Sequence, residues 1–225
     1  LLDRDVTVKN PTDPLPAPRK KLGNIVFKNV DFSYKPDTPV LRNVSFDIRP
    51  GEKVALVGYT GSGKTTVINL INRLYDIQAG QILVDGVPVD RYDLAELRGR
   101  IATVPQDPFI FTGTVSENIT MHDSRIPLDQ IVEAAKQVNA DKFIGQLPQQ
   151  YDEPVLEEGK RLSVGQKQLL SFARGIVRKP DILILDEATS SIDSETEKLI
   201  DAATEKLLEN RTAIIIASKI AEPPS

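Results

Sequence analysis

Gly58-Tyr59-Thr60-Gly61-Ser62-Gly63-Lys64-Thr65 runs from a short apolar stretch, residues 53–58, into a segment with helical spacing of apolar residues, about 64–75. The octet is G-x-x-x-x-G-K-[ST]. Glycines at these spacings let backbone N–H groups close around phosphate oxygens. The helix that follows contributes its positive end, and Lys64 a full charge. Thr65 would place a hydroxyl on Mg²⁺, and Thr60, Ser62 and Thr66 complete the cradle.

A second segment supports the first. Ile182-Leu183-Ile184-Leu185-Asp186 is four apolar residues ending in a carboxylate, the pattern of a buried strand delivering an acid to Mg²⁺. Glu187 points to the other side of that strand and is placed to polarise an attacking water. Alone, such a strand is common. Beside a phosphate loop it reads as a nucleotide-hydrolysing site. In a third segment, Leu162-Ser163-Val164-Gly165-Gln166, Ser163 and Gln166 stand at capping-box spacing and Gly165 leaves the backbone open. An apolar-faced helix follows, so this is a second helix N-terminus suited to anions.

The flanking sequence reads as an α/β core with a helical insert. Residues 25–34 and 45–48 are strand-like, with a turn at 36–39. Residues 81–89 form a hairpin around Asp85-Gly86, the dipeptide of a type I′ turn. Helical spacing recurs at Leu128, Ile131, Val132, Ala135 and Val138, and from Leu169 to Val177. A helix is predicted over 194–209, with Ser194 and Glu197 at capping-box spacing, and a last strand over 212–217. Residues 1–22, with Pro11, Pro14, Pro16, Pro18 and the run Arg19-Lys20-Lys21, read as an extended linker.

Composition removes several alternatives. With 225 residues, 40% hydrophobic and 27% charged, the chain is long enough for a full core. The absence of cysteine excludes disulfides, thiolate catalysis and the usual zinc clusters. His122 is the only histidine, too few for a His-based metal site. A net charge of −4 offers no global field for nucleic acid, and no such partner is expected. Aliphatic runs such as 182–185 and 213–217 fall far below the ~18 residues of a membrane span. No basic-then-apolar leader opens the sequence, and the start at Leu1 suggests a piece of a longer chain.

Taken together, the phosphate loop, the Asp186-Glu187 strand and Leu162-Ser163-Val164-Gly165-Gln166 resemble the ATP-binding-cassette (ABC) family, over nearly everything from Ile25 to Ala217. The resemblance implies a P-loop NTPase core with an antiparallel β subdomain and a helical signature subdomain at about 107–178. It implies ATP and Mg²⁺ as cofactors, with Ser163, Gly165 and Gln166 contacting nucleotide. Tyr34 falls where the family stacks an aromatic ring on adenine. Gln106, in Val104-Pro105-Gln106-Asp107, is similar to the Q-loop glutamine that touches Mg²⁺ or water. Catalysis would then rest on Glu187, Lys64 and Gln106, with Thr65, Gln106 and Asp186 at the metal. Ser190-Ser191-Ile192-Asp193 resembles the D-loop of a dimer interface.

The segment from Phe109 to Ile119 looks like the exporter type, in which this domain follows a membrane domain. Residues 1–22 would be the connector, and 23–217 the nucleotide-binding domain, at the cytoplasmic face of a membrane. Glu157-Glu158-Gly159 sits where exporters carry an acidic segment, although Leu156 replaces its expected glycine. The expected partners are a second nucleotide-binding domain and the membrane domain.

The departure from the family lies at the end. A histidine is expected 31 residues after Glu187, and that residue is Ser218. Residues 218–225 match nothing in the family, which fits either a frameshifted or appended tail or a natural loss of the histidine. Three functions follow: an ATPase driving export; a regulatory module holding ATP with weak or no hydrolysis; or a soluble cassette ATPase on DNA or ribosomes. The 122 residues between Lys64 and Asp186 and the acidic balance disfavour the third.

Overall fold

The computed structural model describes residues 8–20, 22–156, 159–186 and 194–217. Glu187, the D-loop-like residues 190–193, Glu157, Glu158 and Ser218 lie outside them, as do the side chains of 194–196. The chain divides into two compact units, one of residues up to Ile101 and from Arg211 on, the other Ala102–Asn210.

The first unit is built on β1 (Ile25–Lys35), β2 (Thr38–Ile48), β3 (Lys53–Val57), α1 (Lys64–Ile71), β4 (Ala79–Val84), β5 (Val87–Pro88), α2 (Leu94–Gly99) and the last strand, β10 (Thr212–Ala217). An antiparallel sheet has the order β2-β1-β4-β5. Strand β3 pairs in parallel with β10, Lys53 opposite Ala213 through Val57 opposite Ala217. Ile25, Phe27, Val30, Ile48, Leu70 and Val84 are buried at the strand and helix spacings read from the sequence.

Two boundaries differ from the sequence-based expectation. Strand β2 starts at Thr38, so Pro39 lies inside a strand rather than a turn. Because β2 is an edge strand, Pro39 costs no ladder bond that a central strand would need. Helix α1 stops at Ile71, four residues early, because Arg73 is left-handed at φ 47°. Its N–H bonds Leu70 O at 3.0 Å and that of Leu74 bonds Asn69 O at 2.8 Å, a Schellman motif with arginine where glycine is usual. The hairpin turn is as expected, with Asp85 and Gly86 both at positive φ.

The second unit contains β6 (Ile101–Val104), β7 (Gly113–Thr114), α3 (Val115–Thr120), α4 (Leu128–Gln137), α5 (Asp141–Ile144), β8 (Pro154–Val155), α6 (Val164–Ile176), β9 (Ile182–Asp186) and α7 (Ser194–Leu208). Helix α6 packs against α3, α4 and α7, burying Leu169, Leu170, Phe172, Ala173 and Ile176. Strand β9, buried from Ile182 to Leu185, is hydrogen-bonded to β6. Among the described residues, no helix is long and apolar enough to cross a membrane.

Gly80 shows how tightly the antiparallel sheet is drawn. It sits at φ 86°, and a Cβ there would press on the carbonyl oxygens of Lys28 and Asn29. Gly80→Ala is expected to destabilise the chain by about 2–4 kcal/mol, from left-handed strain plus the clash. Urea denaturation compared with the parent chain measures it.

Candidate functional site: an uncapped helix start and a signature helix

In the first unit, β3 runs into the loop at 58–63 and α1 begins at once. The N-cap of α1 is Gly63, at φ 93°, a conformation glycine adopts without strain. It has no side chain to cap the helix, and the first turn carries no acid. The first intrahelical bond is Val67 N–H to Gly63 O at 3.0 Å, so the amides of Lys64, Thr65 and Thr66 have no helical partner. Helices α2, α3 and α6 close such ends with side-chain oxygens, and α4 and α5, which have no side-chain cap, carry Asp129 and Asp141 in their first turns. Asp93 caps α2 through the amides of Ala95 and Glu96, and Thr114 with Glu117 makes a full capping box on α3. At α1 the positive end is left open.

Lys64 curls back over this loop, its Nζ donating to Gly58 O at 2.6 Å and Tyr59 O at 3.0 Å. Thr60, Gly61, Ser62 and Thr65 are exposed, and Gly61 is at φ 85° with open space where a Cβ would be. Thr66 is buried, and its hydroxyl meets the Tyr34 hydroxyl at 3.2 Å. Asn69 Nδ2 donates to the same phenol oxygen at 3.3 Å. The Tyr34 ring makes edge contacts with Phe32 and Tyr75, at centroid distances of 4.8 and 5.0 Å, and remains 47% exposed. Tyr34 and the phosphate loop are thus brought together through Thr66. Asn69 and Tyr75 were not singled out from the sequence; Asn69, three residues beyond Thr66, lies on the same helix face.

In the second unit, Asp186 ends β9 half-buried after four buried residues, and exposed Gln106 follows the neighbouring strand β6. Helix α6 opens with the expected capping box. Ser163 Oγ accepts from Gln166 N–H at 3.2 Å, and Gln166 Oε1 accepts from Ser163 N–H at 3.0 Å. Ser163 is exposed and Gly165 buried. A ligand at this second helix start meets amides partly satisfied by their own chain, unlike those of α1.

The segment 109–118 is fastened to α6 by a residue that sequence reasoning missed. Arg174 donates to Phe109 O and Asn118 O, both at 2.9 Å, and its carbon Cζ lies 5.6 Å from the Phe111 ring centroid. Asn118, fully buried, closes the loop from within through Phe111 N–H, Phe111 O and Thr114 O. Burial pushes the Arg174 guanidinium below its usual range. No local signal marked it, because its partners are mostly backbone carbonyls 56 and 65 residues away.

A family model described as ABC transporter matches residues 41–190, from within β2 through the phosphate loop, α6 and β9. The chain belongs to the ABC transporter family. That membership makes it an ATPase domain, and its relatives include proteins named as ABC exporters. It is 43% identical over 206 residues to a probable multidrug resistance ABC transporter ATP-binding/permease protein of Bacillus subtilis, covering 92% of this chain and 31% of that protein. It is 42% identical over 221 residues to an ATP-dependent lipid A-core flippase of Saccharophagus degradans, covering 98% and 38%. A solved bacterial Atm1-family ABC exporter with ATP bound superposes with a TM-score of 0.84 at 36% identity, over 97% of this chain and 38% of that one. The chain spans about a third of the length of the first curated relatives it matches.

Arg174→Ala removes two bonds to Phe109 and Asn118 carbonyls, which would then need other donors. A loss of about 2–4 kcal/mol is expected, with Arg174→Lys recovering only part because one ammonium cannot span both acceptors. Thermal and chemical denaturation of the intact ABC domain measure both.

Proposed function

We propose that this chain is the ATP-hydrolysing domain of a membrane exporter, working as one of two nucleotide-binding domains. The observation that carries the reading is the open, glycine-led start of α1 with Lys64 folded over the same loop. The residues fit a nucleoside triphosphate. Three amides without a helical partner and a helix dipole face the loop, no acid occupies the first turn, and a half-exposed tyrosine is tied to the hydroxyl of Thr66, the third of those residues.

In this reading Lys64 leaves the Gly58 and Tyr59 carbonyls for the β- and γ-phosphates, while the amides of 61–66 cradle the phosphates with Gly58, Thr60 and Ser62. Tyr34, its hydroxyl anchored by Thr66 and Asn69, offers its ring to adenine. Thr65, Asp186 and Gln106 would hold Mg²⁺, which when bound neutralises phosphate charge. One carboxylate, one hydroxyl and one amide suit an ion that takes its other ligands from phosphate and water. Glu187 orients the attacking water. Ser163, Gly165 and Gln166 of one copy contact nucleotide held by Lys64 of the other.

The relatives named as ATP-binding/permease proteins support a membrane domain as partner, with residues 1–22 as connector, 23–217 as the nucleotide-binding domain and the cytoplasmic face as location. A second reading, a regulatory ATP-binding module with weak or no hydrolysis, is favoured by Ser218 in place of the expected histidine. Loss of one transition-state donor typically costs ~10²–10³ in rate.

Three outcomes are expected. Mg²⁺-ATP turnover should rise faster than linearly with protein concentration and increase on Ser218→His; no turnover in either, with ATP still bound, selects the regulatory module. Glu187→Gln should retain ATP and accumulate as a dimer in light scattering, and a variant that binds ATP yet stays monomeric at every concentration contradicts the two-copy site. Tyr34→Ala should weaken ATP binding by about 1–3 kcal/mol in calorimetry, with Tyr34→Phe close to the parent.

A further inference from the structure

The described part of the Pro-rich stretch expected to be a linker, residues 8–20 and Leu22, is bonded at several points to the rest of the first unit. Val8 is buried. The Asn10 carboxamide accepts from Leu94 N–H at 2.7 Å and donates to Asp93 Oδ2 at 2.9 Å. Leu15 N–H bonds Arg91 O at 2.8 Å. The Pro18 carbonyl accepts from Arg100 at 2.9 Å, and Asp85 takes the N–H groups of Leu22 and Asn24 at 3.2 and 2.9 Å.

Arg100 is the centre of this arrangement. Its side chain and that of Asp85 are each 2% exposed and pair at 3.2 Å. Arg100 also pairs with Glu96 at 3.2 Å and lies 5.8 Å from the Tyr92 ring centroid. A guanidinium buried this deeply persists only with such partners, and one is the carbonyl of Pro18. Pro11, Pro14, Pro16 and Pro18 carry no N–H and hold the chain extended, so ordering the segment costs little entropy and few donors.

We propose that residues 8–20 and 22–24 are a strap clamped to the first unit by Arg100, and that the strap acts through Arg100 on the start of β6. Arg100 ends α2 and directly precedes β6; the second unit begins at Ala102, and Gln106 follows four residues later. A displacement of the strap is therefore delivered through Arg100 to β6 and the Gln106 segment that follows it, rather than lost in slack. The reading of an upstream membrane domain enters only as the source of that displacement.

The chain has no cysteine, so paired spin labels can be placed directly at Lys9→Cys and Asp90→Cys, both exposed positions. The parent should give one narrow distance distribution. Arg100→Gln should broaden it and raise tryptic cleavage at Arg19 and Lys20 at least about 10-fold. Should Arg100→Gln fail to fold, the exposed Asn10→Ala carries the test and should broaden the distribution while leaving the melting temperature near the parent's. A broad distribution in the parent, or none of these changes in a folded variant, overturns the strap. Hydrogen exchange at residues 102–106 tests the transmission: Asn10→Ala should change it, and unchanged exchange with a loosened strap overturns that part. ATP affinity, measured alongside, reports on the function reading separately, because the label distances need no nucleotide.

Discussion

The three amides at the start of α1 are the constraint around which the first unit is arranged. Donors without partners are costly to keep away from water, and a helix that begins on glycine cannot satisfy them from its own side chain. Other helices show the ordinary solution, in Asp93 on α2 and Ser163 on α6. Where α1 departs from it, the loop is also held by Lys64 on its own carbonyls, and Thr66 of the first turn ties down Tyr34. An open donor set, a lysine ammonium and an anchored ring at one place fit the phosphorylated aromatic ligand of the proposed function.

The second unit solves a different problem. Its signature helix α6 is closed at its start by Ser163 and Gln166 and gripped near its end by Arg174. That grip makes the segment 109–118 and α6 one piece, so the Gln106 loop that precedes the segment and the Ser163 end of α6 belong to a continuous framework.

What was legible in the sequence is what local chemistry dictates. The glycines before Lys64, the apolar run ending at Asp186, the Ser163–Gln166 box and the Asp85-Gly86 turn each carry their cause within a few residues. The end of α1 was hidden because Arg73 occupies a position where glycine would have announced the stop. Pro39 misled because its tolerance depends on β2 lying at a sheet edge, a fact of pairing. Arg174, Arg100 and the docking of residues 8–20 were hidden for a shared reason: contacts that place them, Arg174 with Asn118 and Phe109, Arg100 with Pro18 and Asn10 with Leu94, join residues 56 to 84 apart. Of the site residues, Glu187 and Ser218 rest on sequence alone.

The central claim is that the amides of 61–66 and Lys64 hold the nucleotide phosphates. Backbone-resolved NMR of the isotopically labelled chain, titrated with ATP, tests it most directly. The largest shifts should fall on the amides of Gly61 to Thr66, with the Tyr34 ring responding in parallel, and Lys64→Ala should suppress them. Saturable shifts centred elsewhere, or a Lys64→Ala chain that binds ATP as the parent does, would contradict it.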